Sequence, residues 1–275
     1  MAKKTEALAK ATPTSLGRPL EDWEKEAMAQ ASGEKAQGSL GVARITHQSG
    51  VIKVDDKPVE GNRIKLAIVD MVKEKSWFSK PYEAGTSATP DCYSFARPLP
   101  GEKAGETEAR MVPHEAAPDK QNPDCRTCKF NVFGSGRGRA KACGDRIRLL
   151  VISPRIGPDG KPSVGEDDVD RAELRQLSIP PASLGAFSLF YASLGDRTRT
   201  GNLREAIVEV STGPLPKGGH GLKFDFAGTV PTPSFKKIME LSKKKADALI
   251  TPYPVIEAEA VEQTAQKQAR GKKLR

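Results

Sequence analysis

Histidine, cysteine and long apolar runs are scarce in this chain. Its three histidines, His47, His114 and His220, lie in unlike contexts, and no H-E-x-x-H or Ser/His/Asp arrangement indicates a hydrolase. No apolar run approaches the roughly 18 residues that a membrane-spanning helix needs. The first residues, MAKKTEALAKATPTS, lack the apolar core of a secretory signal. We therefore expect an intracellular protein that is not an enzyme and has no membrane partner.

Acidic residues are outnumbered by basic ones. The 275 residues include 44 Lys and Arg against 35 Asp and Glu, a net charge of +9. Such an excess favours a polyanionic partner, above all nucleic acid. Hydrophobic residues make up 37%, while 25 Gly and 21 Pro break the chain often. This composition predicts a modest core with long connections.

Several segments have the alternating pattern of β-strands. Residues 41–56, GVARITHQSGVIKVDD, alternate on both sides of a Gln-Ser-Gly turn, which predicts a hairpin. Further strands are predicted at 63–78, 145–153 and in a pair near 203–230. These runs predict a mainly β chain with peripheral helices, an α+β fold on a five- or six-stranded antiparallel sheet or barrel.

Two helices and two flexible ends complete the predicted organisation. Residues 179–196 and 233–250 carry apolar side chains at helical spacing, and Ser234 is the expected N-cap of the second helix. Residues 1–38 predict a flexible arm with room for a short helix, and residues 255–275 predict a mobile tail. The folded domain is expected to span 39–254.

The four cysteines are candidate metal ligands. Cys125 and Cys128 form a C-x2-C pair, whose short spacing lets one turn aim two thiolates at one ion. Cys92 and Cys143 complete a tetrahedral set, and His114 is an alternative that could replace Cys92. A redox pair would open a helix after a strand, which the sequence here does not predict. We expect one structural zinc ion, because four thiolates leave no open position for catalysis.

The segment 125–148 is both basic and aromatic. It contains seven basic residues and a single acid, Asp145, with glycines 134, 136 and 138 and the rings of Phe130 and Phe133. Cations that neutralise phosphates and rings that stack on bases are what binding of single-stranded nucleic acid requires. Residues 75–95 and this segment contain the candidate DNA-binding residues, which are Lys75, Trp77, Lys80, Tyr82, Tyr93, Lys129, Phe130, Arg137, Arg139, Lys141, Arg146 and Arg148.

The order of these parts resembles a family of phage replication proteins. The matching segments are SWFSKPYE, TPDCYSFARPLP and NPDCRTCKFNVFGSGRGRAKACGDRIRLLVI, within about residues 40–230. The resemblance implies an OB-type β-barrel with an inserted zinc-binding loop at 90–145, zinc bound by the four cysteines, and single-stranded DNA held on the basic aromatic face. It also implies a role in replication or recombination in the cytoplasm of an infected bacterium, with phage replication proteins as partners and self-association along the strand.

One feature departs from that class, and two other functions compete with it. Proteins of the class commonly end in an acidic recruiting tail, whereas residues 257–275 hold five basic residues and three acids. The first rival is a zinc-ribbon transcription regulator that docks on a polymerase. The second is a metal-dependent nuclease using the acids of GEDDVDRAEL, residues 165–174, although acids are also favoured at a helix N-terminus.

Overall fold

The structure of the protein is a computed structural model, and its described residues all belong to one unit of the chain. The predicted arm, 1–38, and the predicted tail, 255–275, lie outside the described residues. Within the described part, every helix is too short or too polar to cross a membrane. The described residues are 42–80, 89–99, 101–103, 105–216 and 218–253.

Strands dominate the described residues. The strands are β1 Ala43–Gln48, β2 Val51–Val54, β3 Lys57–Pro58, β4 Arg63–Trp77, β5 Cys92–Ala96, β6 Gly144–Ile152, β7 Arg155–Ile156, β8 Pro162–Ser163, β9 Arg175–Ile179, β10 Ala206–Pro214 and β11 His220–Thr229. The α-helices are α1 Glu106–Ala109, α2 Glu166–Asp170, α3 Leu184–Ala192 and α4 Thr232–Lys244.

The long strand β4 organises the sheet. Nine strands pair in the order β11-β10-β4-β6-β9-β1-β2-β3, with β5 also pairing with β4. On one side, the first part of β4 pairs with β10 and the last part with β5, whereas β6 follows the other side. The far end of β4 therefore lies between β5 and β6, which carry or adjoin the candidate metal ligands.

The sheet curls into a half-barrel. The β1–β2 turn lies far from β10 in strand order, yet the Gly50 carbonyl accepts hydrogen bonds from the Thr212 hydroxyl and from the Asn62 side chain. Right-handed strand twist produces this curvature. A Cβ at Gly50 would approach the His220 ring to 2.8 Å, and φ is +82° there, so the turn requires glycine.

Both faces of the sheet are buried. Leu149 and Val151 of β6 join the core cluster that packs against α3, whereas Leu150 and Ile152 join the cluster under α4. A strand covered on both faces needs apolar residues at successive positions. This explains the unbroken run LLVI in β6.

The mainly β prediction is confirmed, and so are the hairpin, the long strand and both helices. The predicted number of strands was too small, because β5 and β9 are short and mix polar with apolar residues. One pairing is also parallel, between β1 and β9. Ser234 was wrongly predicted as an N-cap: Pro231 occupies that position, and Ser234 is buried inside α4.

Candidate metal centre and nucleic-acid interface

The four cysteines meet at one end of β4. Cys92 begins β5, and Cys143 directly precedes β6, while Cys125 and Cys128 lie in the connection between α1 and β6. Strands β5 and β6 pair with opposite sides of β4. The sheet therefore brings Cys92 close to Cys125, Cys128 and Cys143, which are near one another in sequence. We call residues 125–143 the cysteine loop.

These thiols share one small cavity, the cysteine cavity. Each of the four residues is 7 or 8% exposed. They line a space of about 10 Å³ together with Trp77 and Phe130, roughly the room that one water molecule or small ion occupies. Burial raises the pKa of the Cys143 thiol to about 12 and also raises the pKa values of Cys92 and Cys125.

The four thiols are suitable ligands for zinc, but their side chains are not arranged around a common point. Four buried thiols are the ligand set of a closed structural zinc site. Among the described residues, however, no three His, Cys, Asp or Glu side chains are arranged as a metal site. Rotation about one side-chain bond reorients a thiol, and all four thiols already line the cysteine cavity.

The alternative ligand His114 faces a different environment. Its ring stacks on Tyr93 at 5.3 Å between centroids, and its Nδ1 accepts a hydrogen bond from the Ala116 amide at 3.1 Å. His114 is not among the residues that line the cysteine cavity. The arrangement therefore favours Cys92 as the fourth donor.

Aromatic stacking and backbone hydrogen bonds seat the cysteine loop on the sheet. The Phe130 ring stacks on Trp77 with centroids 4.6 Å apart. The Phe130 carbonyl also accepts a hydrogen bond from the Cys143 amide at 2.9 Å. Phe130 is thus a structural contact between loop and sheet, with only part of its ring left accessible.

The glycines of this loop make a compact turn. The amides of Gly134 and Gly136 both donate to the Ala140 carbonyl, at 3.1 and 2.9 Å. A Cβ at Gly136 would lie 2.8 Å from the backbone of Lys141, so this close approach requires glycine. These two amides are therefore used inside the loop and are not offered to a phosphate.

The cysteine loop presents one exposed ring with a lysine beside it. Phe133 is 77% exposed, and the Lys141 ammonium lies 5.1 Å from its ring centroid. Arg137, Arg139 and Lys129 are exposed on the same loop. Within the described ranges, no ion pair involves these three residues. The sequence did not separate Phe133 from a core residue, because exposure depends on how the loop folds.

Three candidate DNA-binding residues lie inside the protein. Tyr93 and Arg148 are 1% exposed and Lys75 is 2% exposed. Arg148 donates to Glu74 Oε2 at 2.6 Å, and although burial opposes its charge, that carboxylate holds the pKa of Arg148 above its usual value. A DNA strand cannot lie against Tyr93 or Arg148, so the interface proposed below omits these two residues, whereas Lys75 lines a cavity beside the loop.

The remaining candidates differ in exposure. Lys80 is exposed, whereas Trp77 and Arg146 are half-buried. Arg146 Nε donates to the Ser76 hydroxyl at 3.2 Å. Tyr82 lies outside the described residues.

The acids proposed for a nuclease serve the end of a helix. Asp168 accepts a hydrogen bond from the Gly165 amide at 2.6 Å and pairs with Arg155 at 2.9 Å. Asp170 pairs with Lys237 of α4. These contacts give the acids a capping and packing role in α2.

Comparison with known proteins identifies no relative of this chain. No protein family, no curated protein and no solved structure matches it.

Proposed function

We propose that the protein binds single-stranded DNA without strong sequence preference, using a zinc-stabilised cysteine loop on an OB-like half-barrel. The resemblance to phage replication proteins suggests that it coats and protects DNA during replication or recombination. The observation that carries the proposal is the exposed Phe133 ring, next to Lys141 and on the same basic loop as the exposed Arg137 and Arg139. Flat rings and phosphate-neutralising cations are the two components of sequence-tolerant strand binding.

The proposed mechanism divides the work within the loop. Zinc, when bound by Cys92, Cys125, Cys128 and Cys143, would supply rigidity and no chemistry, since four thiolates fill its coordination shell. Phe133 stacks on a base, and the cations of the same loop neutralise the adjoining phosphates. The stack of Phe130 on Trp77 holds this surface against the sheet.

The first test measures strand preference and the contribution of Phe133. The protein should bind oligo-dT more tightly than a duplex of equal length, and Phe133→Ala should weaken oligo-dT binding about 5- to 150-fold, the effect of losing one base stack. Fluorescence anisotropy titration measures both. A matched control is Ile156→Ala, because Ile156 is 55% exposed on β7, beyond the other end of β6. Equal binding of oligo-dT and duplex would remove the proposal, and degradation of oligo-dT in magnesium would favour the nuclease.

The second test counts phosphate contacts. Replacing Arg137 and Arg139 by glutamine should make the slope of log affinity against log salt shallower by about 1.4, or about 0.7 per lost contact on a single strand. Lys161→Gln is the control, because Lys161 is an exposed cation in the β7–β8 turn. An unchanged slope in the double variant would show that neither arginine meets a phosphate.

A further inference from the structure

A second cavity lies beside the cysteine loop, next to α1 and the start of α3, and its volume is about 450 Å³. This volume is in the range of small-molecule sites, which is roughly 300–1,000 Å³. We call it the lysine cavity. Its polar lining comes from Lys75, Glu108, Arg126, Asn131, Lys141 and Asp145.

Two lysines of the lysine cavity share the same acceptors. Asn131 Oδ1 accepts from Lys75 at 3.0 Å and from Lys141 at 3.1 Å. The Asp145 carboxylate pairs with both ammonium groups. An ammonium has three N–H donors, so the contacts within the described residues leave each lysine one further donor for a ligand.

The charges around the cavity sum to a positive value. Asp145 balances only one of its two lysines, while Glu108 is paired with Lys73 at 2.6 Å, outside the lining. Arg126 lies 3.5 Å from Asp124, but its side chain is 68% exposed, so that pair is weak. One positive charge on the lysine pair and one on Arg126 are therefore left largely uncompensated, which favours the binding of a phosphate.

The cavity is continuous with the proposed stacking surface. Lys141 lines it, and the same ammonium lies 5.1 Å from the centroid of the exposed Phe133 ring. A base stacked on Phe133 would therefore bring its own nucleotide's phosphate close to Lys141. Leu184 adds an apolar side chain to the wall, suited to a sugar.

We propose that the lysine cavity binds the phosphate of a nucleotide whose base stacks on Phe133, with Lys141 and Arg126 as donors and Lys75 behind them. This inference rests on the proposed function, and it adds a defined site on the protein for one phosphate of the DNA strand. A phosphate at a DNA strand end and one within a strand both offer anionic oxygens to these donors, and the terminal phosphate carries the higher negative charge.

The test uses single nucleotides and the full chain. The protein is titrated with dTMP and, separately, with thymidine, and NMR monitors both titrations. The affinity for dTMP should be at least about tenfold higher, because thymidine lacks the charged phosphate that accepts the hydrogen bonds. Arg126→Gln and Lys141→Gln should each weaken dTMP binding about tenfold. Lys161→Gln should leave it unchanged. Arg126 is mostly exposed, so its variant should fold even if the Lys141 variant does not.

The outcomes separate this inference from the proposed function. Equal affinity for dTMP and thymidine, or an Arg126→Gln variant that binds dTMP normally, would overturn the phosphate subsite. Oligo-dT binding that persists in that case would leave the proposed function standing. Binding of dTMP without binding of oligo-dT would support the subsite and reject the function. The source of the phosphate is identified by comparing a 5′-phosphorylated linear oligo-dT with a circular oligo-dT of equal length. Tighter binding of the linear oligonucleotide indicates that the cavity takes the phosphate at a strand end.

Discussion

Replacing Cys128 by serine is expected to abolish zinc binding and to release the cysteine loop from the sheet. Wild-type protein purified with zinc should contain about one ion per chain, as one four-ligand site requires. The variant should contain close to none. Structural zinc contributes on the order of 10 kcal/mol to ordering the segment that binds it. A loss of this size should also abolish the Phe133-dependent binding of oligo-dT.

Elemental analysis and chelation measure this effect and separate it from general instability. A chelator should lower the melting temperature of the wild type and leave that of Cys128→Ser unchanged. Thr127→Ser is the matched control, because Thr127 lies between two of the cysteines and is exposed. If the wild type contains no zinc after purification with zinc, or the serine variant retains a full equivalent, the four cysteines have another role.

The second large effect is expected at a buried ion pair. Glu74→Gln removes the carboxylate that pairs with Arg148, and both side chains are at most 2% exposed. A buried charge without its partner destabilises a protein by about 3 to 5 kcal/mol. For a domain of this size the melting temperature should fall by roughly 10 °C. Thermal unfolding followed by circular dichroism measures the shift.

An exposed ion pair provides the comparison. Asp170→Asn breaks the contact with Lys237, in which the side chains of Asp170 and Lys237 are 56% and 31% exposed, so it should lower the melting temperature far less than Glu74→Gln does. The double variant Glu74→Leu with Arg148→Met should recover part of the lost stability, because it removes both charges. Equal effects of Glu74→Gln and Asp170→Asn would show that burial does not decide the strength of these pairs.

The buried pair also joins distant parts of the chain. Arg148 donates to the Leu249 carbonyl at 3.1 Å, and its guanidinium lies 4.2 Å from the Phe95 centroid and 4.8 Å from the Tyr253 centroid. Strands β5 and β6 are thereby connected to the segment after α4. Arg148 belongs to the interior of the fold, although its position in a basic run suggested a contact with DNA.

Local sequence patterns predicted the elements better than their pairing. The turn at Gly50 and the apolar run in β6 were readable, because turn residues and periodicity act over a few neighbours. The parallel pairing of β1 with β9 and the curl that brings Gly50 to Thr212 depend on residues far apart in the chain. Such pairings have no local signal.

For the candidate site, the sequence by itself determined the donor types, the excess of positive charge in segment 125–148 and the close spacing of Cys125 and Cys128. Only the tertiary structure decided that Cys92 lines the same cavity and that Phe133 is exposed while Arg148 is buried. Arg137 and Arg148 carry the same charge in the same run. One lies in a loop and the other in a strand covered by neighbouring elements, and burial arises from that packing.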